Sequence, residues 1–157
     1  MRGRRLLPIL LCSALILVSC HFEDGTPGGT RPEDTALRTL VADFYQAVGR
    51  RDETRLGRTV FPAATVLLAD ASGAALVPVR TMIEIPERRN EEGGVRVSRI
   101  DLRLDGALAT ARVVVVAANS IDGREFESTD FFTIAHREGT WRIAQAVFGP
   151  WRVRSAP

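Results

Sequence analysis

The chain has little cysteine and little histidine, and these shortages exclude several kinds of site. Its two cysteines are Cys12 and Cys20, and its two histidines are His21 and His136. Protein zinc sites take three or four ligands, mostly from these two residue types. A histidine–cysteine metal site is therefore excluded by counting, and we expect no metal and no cofactor.

Long hydrophobic runs are also lacking. The longest, residues 6–18, has 13 residues, whereas a membrane-spanning helix needs about 20. Arg2, Arg4 and Arg5 precede this run. A basic start followed by a short apolar run is typical of a secretory signal peptide.

The residues after that run favour one kind of signal peptide. Leu17-Val18-Ser19-Cys20 resembles the lipobox of bacterial lipoproteins, in which the cysteine thiol is lipidated and the chain is cut just before it. The resemblance implies acylated (palmitate-type) Cys20 at the mature N-terminus and a protein held on a membrane outside the cytoplasm. Two alternatives remain open: an ordinary cleaved signal peptide with a free thiol, and an uncleaved anchor. If the source is Gram-negative, His21 in place of an aspartate favours the outer membrane.

Processing would change the charge of the protein. Removing residues 1–19 leaves 138 residues with 18 basic side chains (21 minus three arginines) against 19 acidic ones, a net charge of about −1. With no net positive charge, nucleic-acid binding has little electrostatic support, and we expect none. The mature chain also has no cysteine pair for a disulfide, so a hydrophobic core must stabilise it.

Four segments follow from the pattern along the chain: a signal peptide at 1–19, a lipidated cysteine with a polar tether at 20–30, one domain at 31–151, and a tail at 152–157. Apolar residues at helical spacing predict a helix that Thr30 caps and that ends near Arg50. Asp52 is predicted to cap a second helix over 53–60.

The second half changes to strand periodicity. Strands are predicted at 63–69, 95–104, 107–119, 124–136 and 140–148, with Asp-Gly or Glu-Gly turns between the later ones. Residues 78–89 fit either a short helix or a strand, and residues 90–94 fit a turn. Helices followed by an antiparallel meander indicate an α+β domain with helices covering one face of a curved sheet.

This order resembles the NTF2-like superfamily, a cone-shaped α+β fold that includes the SnoaL-like cyclases and ketosteroid isomerase. "LRTLVADFYQAVGRRDETRLGRTVFPAATV" is similar to the family's opening helices and first strand. "IDGREFESTDFFTIAHREGTWRIAQAVFGPW" is similar to its closing hairpin, most of all in the lumazine-binding-like branch. The resemblance covers about residues 31–151 and implies the fold more than the function.

Comparison with ketosteroid isomerase argues against the same chemistry. Its helix tyrosine aligns with Phe44, next to Tyr45, and its strand base aligns with Leu68. Its neutral sheet acid has one candidate, Asp130. Two of the three catalytic positions are therefore apolar, and isomerase chemistry of this kind is not expected.

The resemblance also indicates which side chains line the inside of the cone. Strand alternation places Asp130, Phe132, Ile134 and His136 on one face, and it places Trp141, Ile143, Gln145 and Val147 on one face of the next strand. The predicted ligand-pocket residues are Phe44, Phe61, Asp130, Phe132 and Trp141. For the aromatic residues the alternative is a solid core without a cavity.

Asp130 is the best single candidate for a functional side chain. A carboxylate among apolar strand residues is costly to bury without a partner, and burial among them would raise its pKa and make it an acid. The alternative, which the pattern favours, is an aspartate at a strand edge paired with an arginine. His136, beside Arg137 and Glu138, is predicted to be a solvated turn residue.

These observations predict a membrane-anchored lipoprotein whose domain binds a small apolar ligand or a protein partner at the cell envelope without catalysis. One alternative is an enzyme of isomerase, cyclase or hydrolase type that uses Asp130. The other is a structural module that forms a homodimer through the outer face of the sheet.

Overall fold

The computed structural model describes residues 31–70, 73–84, 95–118 and 123–154. The predicted signal peptide, the predicted acylation site Cys20, the tether and the predicted cap Thr30 lie outside the described residues. The predicted turn at 90–94 lies outside them too. The N-cap of the first helix is Arg31, whose side chain makes no capping hydrogen bond.

Two helices open the fold. Helix α1 spans Pro32–Arg50 and begins with a proline and acidic residues, which suit a helix N-terminus. It ends at Arg50, and the next residue, Arg51, has a left-handed backbone (φ 55°) that directs its N–H back to carbonyl groups of the last turn. Helix α2 spans Glu53–Thr59, and the Asp52 carboxylate accepts the Arg55 backbone N–H at 2.8 Å, so the predicted cap is confirmed.

In the described part of the chain, seven strands and a short 3-10 helix follow. The sheet contains β1 Val60–Asp70, β2 Gly73–Pro78, β3 Arg96–Asp105, β4 Leu108–Ala118, β5 Glu125–Arg137, β6 Thr140–Phe148 and β7 Arg152–Val153, and the 3-10 helix spans Val79–Glu84 between β2 and β3. The four later predicted strands are confirmed within two residues, and β1 is longer than predicted.

Residues 78–89, which fit either a short helix or a strand, form a 3-10 helix over Val79–Glu84, and residues 85–89 lie outside the described residues. Strand β2, Gly73–Pro78, precedes this helix, and no periodicity predicts it because Ala74 and Ala75 give no alternation. After Pro78 the chain turns into the 3-10 helix, which buries Val79 and Met82 against the core. The predicted short helix is therefore confirmed only over Val79–Glu84.

The sheet is mostly antiparallel, with strand order β2-β1-β6-β5-β4-β3. The exception is the β1–β6 pair, which is parallel. Strand β7 pairs with the beginning of β5, at Phe126 and Glu127. Two residues of the predicted tail thus form part of the sheet, and β6 and β7 follow one another along β5 with Gly149-Pro150-Trp151 between them.

The alternation predicted for β6 is wrong in its second half. Thr133 of β5 pairs with Gln145, but Ile134 pairs with Ile143, so Ala144 is an extra residue in a β-bulge. After the bulge Ala146 is buried instead of Gln145, which is exposed. The amino-acid composition of β6 does not indicate the bulge or the resulting change in which side chains are buried.

A single core lies between α1 and the inner face of the curled sheet. Helix α1 contributes Leu37, Val41, Phe44, Tyr45, Ala47 and Val48, and the sheet contributes chiefly Val66, Val113, Val115, Phe132, Ile134, Ile143, Ala146 and Phe148. Helices packed on one face of a curled, unclosed sheet confirm the predicted α+β class.

Candidate functional site

Asp130 lies in the middle of the sheet, not at an edge. It is on β5, opposite Val113 of β4 on one side and Phe148 of β6 on the other. Its side chain is fully buried on the inner face. The prediction of a strand-edge aspartate is therefore wrong, because a strand is paired with β5 on each side at this position: β4 through Val113, and β6 through its last residue, Phe148.

The hydrogen bonds of Asp130 come from a tyrosine, a serine and a backbone amide. The Tyr45 hydroxyl donates to Oδ2 at 2.7 Å. The Ser128 hydroxyl lies 2.8 Å from Oδ1, and the Gly149 N–H donates to Oδ1 at 3.2 Å. These contacts offset the cost of removing the carboxyl group from water.

The cluster forms where the pairing between β5 and its neighbour is interrupted. Gly149 follows the last residue of β6, and a Cβ atom placed on it would lie 2.5 Å from the Thr129 carbonyl oxygen. A side chain therefore does not fit at this close approach of two backbones. The Ser128 hydroxyl also lies 2.9 Å from the Gly149 carbonyl oxygen, so its single proton is shared between that oxygen and Asp130 Oδ1, while Asp130 accepts the Gly149 N–H.

Aromatic rings pack around this cluster. Phe132 lies edge-on to Phe44, Tyr45 and Phe148, with ring centroids 5.4, 5.8 and 6.0 Å away. Phe44 and Tyr45 are themselves edge to face at 5.6 Å. Such pairs add about 0.5–1.5 kcal/mol each beyond their area, so this part of the interior is closely packed.

The residues predicted to line a pocket are not all together. Phe44, Phe132 and Asp130 are in the buried interior just described. Phe61 and Trp141 are half-buried and pack against the core. Trp141 contacts the exposed His136 across the β5–β6 hairpin, with ring centroids 4.8 Å apart. His136 is exposed as predicted, but it lies within β5, two residues before the turn, and not in the turn itself.

Sequence reasoning missed three members of the cluster. Tyr45 follows Phe44, which was predicted to point inward. Because the apolar face of α1 is wide, the rings of both residues are buried in the core. Ser128 is two residues before Asp130 on the same strand, so alternation could have identified it. Gly149 carried no signal, since its role depends on an interruption in strand pairing that local sequence does not encode.

A cleft opens elsewhere, between α2, the start of β1 and the 3-10 helix. Its volume is about 480 Å³. Leu56, Val60 and Ile83 supply apolar surface, and it is also lined by Glu53, Thr54, Gly57, Pro62, Arg80, Thr81 and Glu84. A Cβ atom on Gly57 would meet no atom within 4 Å, so this glycine leaves space open.

The outer face of the sheet carries two further concavities of about 560 and 690 Å³, both lined by Arg112 and Phe131. Phe131 is 49% exposed. Arg99 Nε and Arg112 Nη1 donate to Asp101 at 2.8 and 3.1 Å. The Arg99 hydrogen bond lowers the pKa of Asp101; desolvation opposes this shift, and the Arg112 hydrogen bond and the charges of both arginines add to the lowering.

Within the described ranges, no three histidine, cysteine, aspartate or glutamate side chains lie close enough to hold a metal ion. No helix in that part of the chain is long and apolar enough to cross a membrane.

Solved structures share this fold. An NTF2-like protein of unknown function from Shewanella baltica OS155 is 21% identical, with a TM-score of 0.55 over 79% of this chain and 95% of that one. Its counterpart from Silicibacter pomeroyi DSS-3 is 24% identical, with a TM-score of 0.56 over 81% and 100%. One from Pseudomonas putida KT2440 is 12% identical, with a TM-score of 0.62 over 82% and 100%.

No curated protein matches the chain significantly. A family model described as "Putative lumazine-binding" matches residues 32–149, which is most of the chain and the whole described helix-and-sheet unit up to β6. The NTF2-like fold of the solved structures agrees with that match. The chain therefore belongs to the lumazine-binding-like family and has an NTF2-like domain.

Proposed function

We propose that this protein is a lipid-anchored, non-catalytic binding protein of the cell envelope, and that a small apolar ligand occupies the cleft between α2 and the 3-10 helix. The observation that supports a non-catalytic function is the set of hydrogen bonds that Asp130 accepts. Its carboxyl oxygens are engaged by Tyr45, Ser128 and Gly149. This acid stabilises the chain's own backbone and is not presented to a substrate.

An enzyme needs at least two titratable groups that converge on a point which a substrate can reach. Tyr45 and Asp130 converge on each other, and neither lines any of the three cavities described above. The alternative enzyme that uses Asp130 would require the interior to open and these hydrogen bonds to break. The non-catalytic function requires neither change.

The cleft has the properties of a small-molecule site. Its volume of about 480 Å³ lies inside the range of about 300–1,000 Å³ that is usual for ligand pockets. Apolar side chains form much of its wall, and Arg80 supplies one cationic group beside Glu53 and Glu84. This composition suits a ligand with a mainly apolar body and a few polar atoms.

Anchoring is proposed from the lipobox-like stretch ending at Cys20. Several acyl chains on one cysteine give lasting membrane attachment, since each buried CH₂ contributes about 0.8 kcal/mol. The chain between Cys20 and Arg31 would reach at most about 40 Å when fully extended. The domain would thus stay near the membrane while its cleft remains accessible.

Native mass spectrometry of the full chain, extracted from membranes of the producing cells, tests both parts. We expect a bound small molecule in addition to the protein mass, and an N-terminal peptide that starts at acylated Cys20. Because the family description names lumazine, lumazine is the first probe to add to ligand-free protein. An N-terminus at His21 without acyl chains would refute the anchor, and protein that is always empty would refute the binding function.

A second candidate function, dimerisation through the outer sheet face, is favoured by Phe131. Nearly half of this ring is exposed at the centre of β5, and Arg112 lies beside it on β4. Aromatic residues and arginine are enriched in protein interfaces. Phe131→Glu tests this candidate: sedimentation of the full chain should show a dimer that the substitution converts to a monomer. A monomeric wild type, or a dimer that survives the substitution, would refute it.

A further inference from the structure

Two of the three faces of the 3-10 helix line the cleft. Side chains three residues apart in such a helix lie above one another, and Val79 and Met82 share the face that is buried in the core. The other two faces bring Arg80, Ile83 and Glu84 to the cleft. This short element therefore supplies a guanidinium, a carboxylate and apolar surface to the same wall.

Helix α2 supplies another wall of the cleft and one more carboxylate. Glu53 and Gly57 lie one turn apart on the same face of this helix, and both line the cleft. The arginines of α2 do not: Arg55 is paired with Asp43 of α1, and Arg58 is not among the residues around the cleft. The charged lining of the cleft thus consists of two carboxylates, one from each helix, and one guanidinium.

The charged side chains of the cleft are those of Glu53, Arg80 and Glu84. They are exposed, and they make no hydrogen bond or ion pair within the part of the chain that the structure describes. On the outer face of the sheet, by contrast, the Arg154 guanidinium is bonded to Glu125 at 2.6 Å. A few polar groups around a largely apolar pocket fix the orientation of a ligand and determine its specificity, and these three side chains are available for that purpose.

We propose that the ligand of this cleft carries a positively charged nitrogen, which binds between Glu53 and Glu84. This chemical class rests on the binding function proposed above for the same cleft. Two carboxylates and one guanidinium give the lining a net charge of −1, which attracts a cation and repels an anion. Leu56, Val60 and Ile83 then contact the apolar body that carries the nitrogen.

An anionic ligand suits this lining less well. Its negative group could pair with Arg80, but Glu84 lies just over one turn away on the same 3-10 helix, about 8 Å further along its axis. Glu53 on α2 adds a second repulsion. An uncharged ligand would gain nothing from either carboxylate, so a cationic nitrogen alone receives a net attraction from the lining.

The experiment compares three probes with the same apolar body and different charge: phenethylamine, which is cationic at neutral pH, phenethyl alcohol and phenylpropionate. Each is titrated into the full chain after removal of bound ligand, and saturation-transfer NMR gives the dissociation constant. We expect phenethylamine to bind most tightly and phenylpropionate most weakly. Only the binding of phenethylamine should weaken as the salt concentration rises.

Charge substitutions show which residues hold the nitrogen. Glu53→Gln and Glu84→Gln should each weaken phenethylamine binding about two- to fivefold, as expected for a partly exposed ion pair, whereas Arg80→Gln should strengthen it. Glu127→Gln removes the same charge from the outer face of the sheet. It is the matched control and should leave the dissociation constant unchanged.

Two results would overturn the cationic ligand class and leave the binding function intact. One is tighter binding of phenylpropionate than of phenethylamine, and the other is phenethylamine binding that neither Glu53→Gln nor Glu84→Gln weakens. Failure of all three probes to bind, together with protein that carries no small molecule when extracted from membranes, would overturn both.

Discussion

Asp130 and Gly57 lie in two contrasting parts of the domain. The surroundings of Asp130 leave neither space nor free carboxyl oxygens for a ligand, whereas the surroundings of Gly57 leave an open cleft. Around Asp130 the rings of Phe44, Phe132 and Phe148 are in contact, and the carboxyl oxygens are engaged by the chain itself. Around Gly57 a glycine borders a cleft of about 480 Å³.

A buried carboxylate in an apolar strand therefore does not by itself identify a reaction centre. Gly149 needs a hydrogen-bond acceptor for its N–H where β6 stops pairing with β5, and Asp130 supplies it. We therefore expect substitutions around Asp130 to act mainly on stability, and substitutions around Gly57 to act mainly on binding.

The largest effect is expected for Phe44→Ala in the closed interior. Phe44 is fully buried and contacts three other aromatic rings, so the truncation should lower the free energy of unfolding by about 3–5 kcal/mol. Chemical denaturation followed by circular dichroism measures this. Trp141→Ala, at a half-buried position, serves as the control and should cost clearly less; an equal loss would mean that the two rings do not differ in packing.

Asp130→Ala should come next, with a loss of about 3 kcal/mol, because it leaves the Tyr45 hydroxyl and the Gly149 N–H without their acceptor in a buried place. The same denaturation experiment measures it. Asp130→Asn retains one acceptor oxygen and should lose less.

Gly149→Ala tests the same cluster from the other side. Its Cβ atom would press on the Thr129 carbonyl oxygen, and overpacking of this kind costs about 1–3 kcal/mol. If Asp130→Ala and Gly149→Ala both left stability unchanged, Asp130 would not have the structural role given to it here.

Gly57→Ala should change the free energy of unfolding less than the three preceding substitutions do. Unlike them, it should raise the stability. Alanine in place of glycine within a helix stabilises by about 0.5–1 kcal/mol, and at Gly57 nothing obstructs the added methyl group. Differential scanning calorimetry should show a slightly higher midpoint. A lower midpoint would indicate that the cleft is narrower than described.

The smallest effect concerns acid stability at Asp101 on the outer face. Its pKa is lowered in the folded state, chiefly by the Arg99 hydrogen bond, so its contribution is present above the unfolded-state pKa and is lost as the pH falls through the folded-state pKa. Asp101→Asn should therefore flatten the fall in stability at the acidic end and change little at neutral pH. An unchanged acid profile would mean that this exposed pair contributes nothing measurable.

Much of the fold could be predicted because local signals and tertiary contacts agree. Asp52 caps α2 as its residue type suggests, and Glu138-Gly139, both with positive φ, form the tight turn between β5 and β6 that the dipeptide indicates. Strand β2 escaped prediction because its pairing with β1 determines its conformation more than its own composition does.

The site was harder to predict than the fold. Asp130 could be singled out by its apolar neighbours, but whether its partner is an arginine or Tyr45 depends on the rotation of α1 against the sheet. The cleft is lined by α2, β1 and the 3-10 helix, and no periodicity within one element shows that three elements leave a space between them.

Native mass spectrometry of the full chain from membrane extracts, with four forms side by side, tests most directly where the ligand binds. The wild type and Asp130→Asn should both carry a bound small molecule, whereas Gly57→Phe, whose ring would fill the cleft, should be empty, and Gly57→Ala should stay loaded as its size control. A bound molecule that is lost in Asp130→Asn and retained in Gly57→Phe would contradict the account and place the ligand in the interior of the cone.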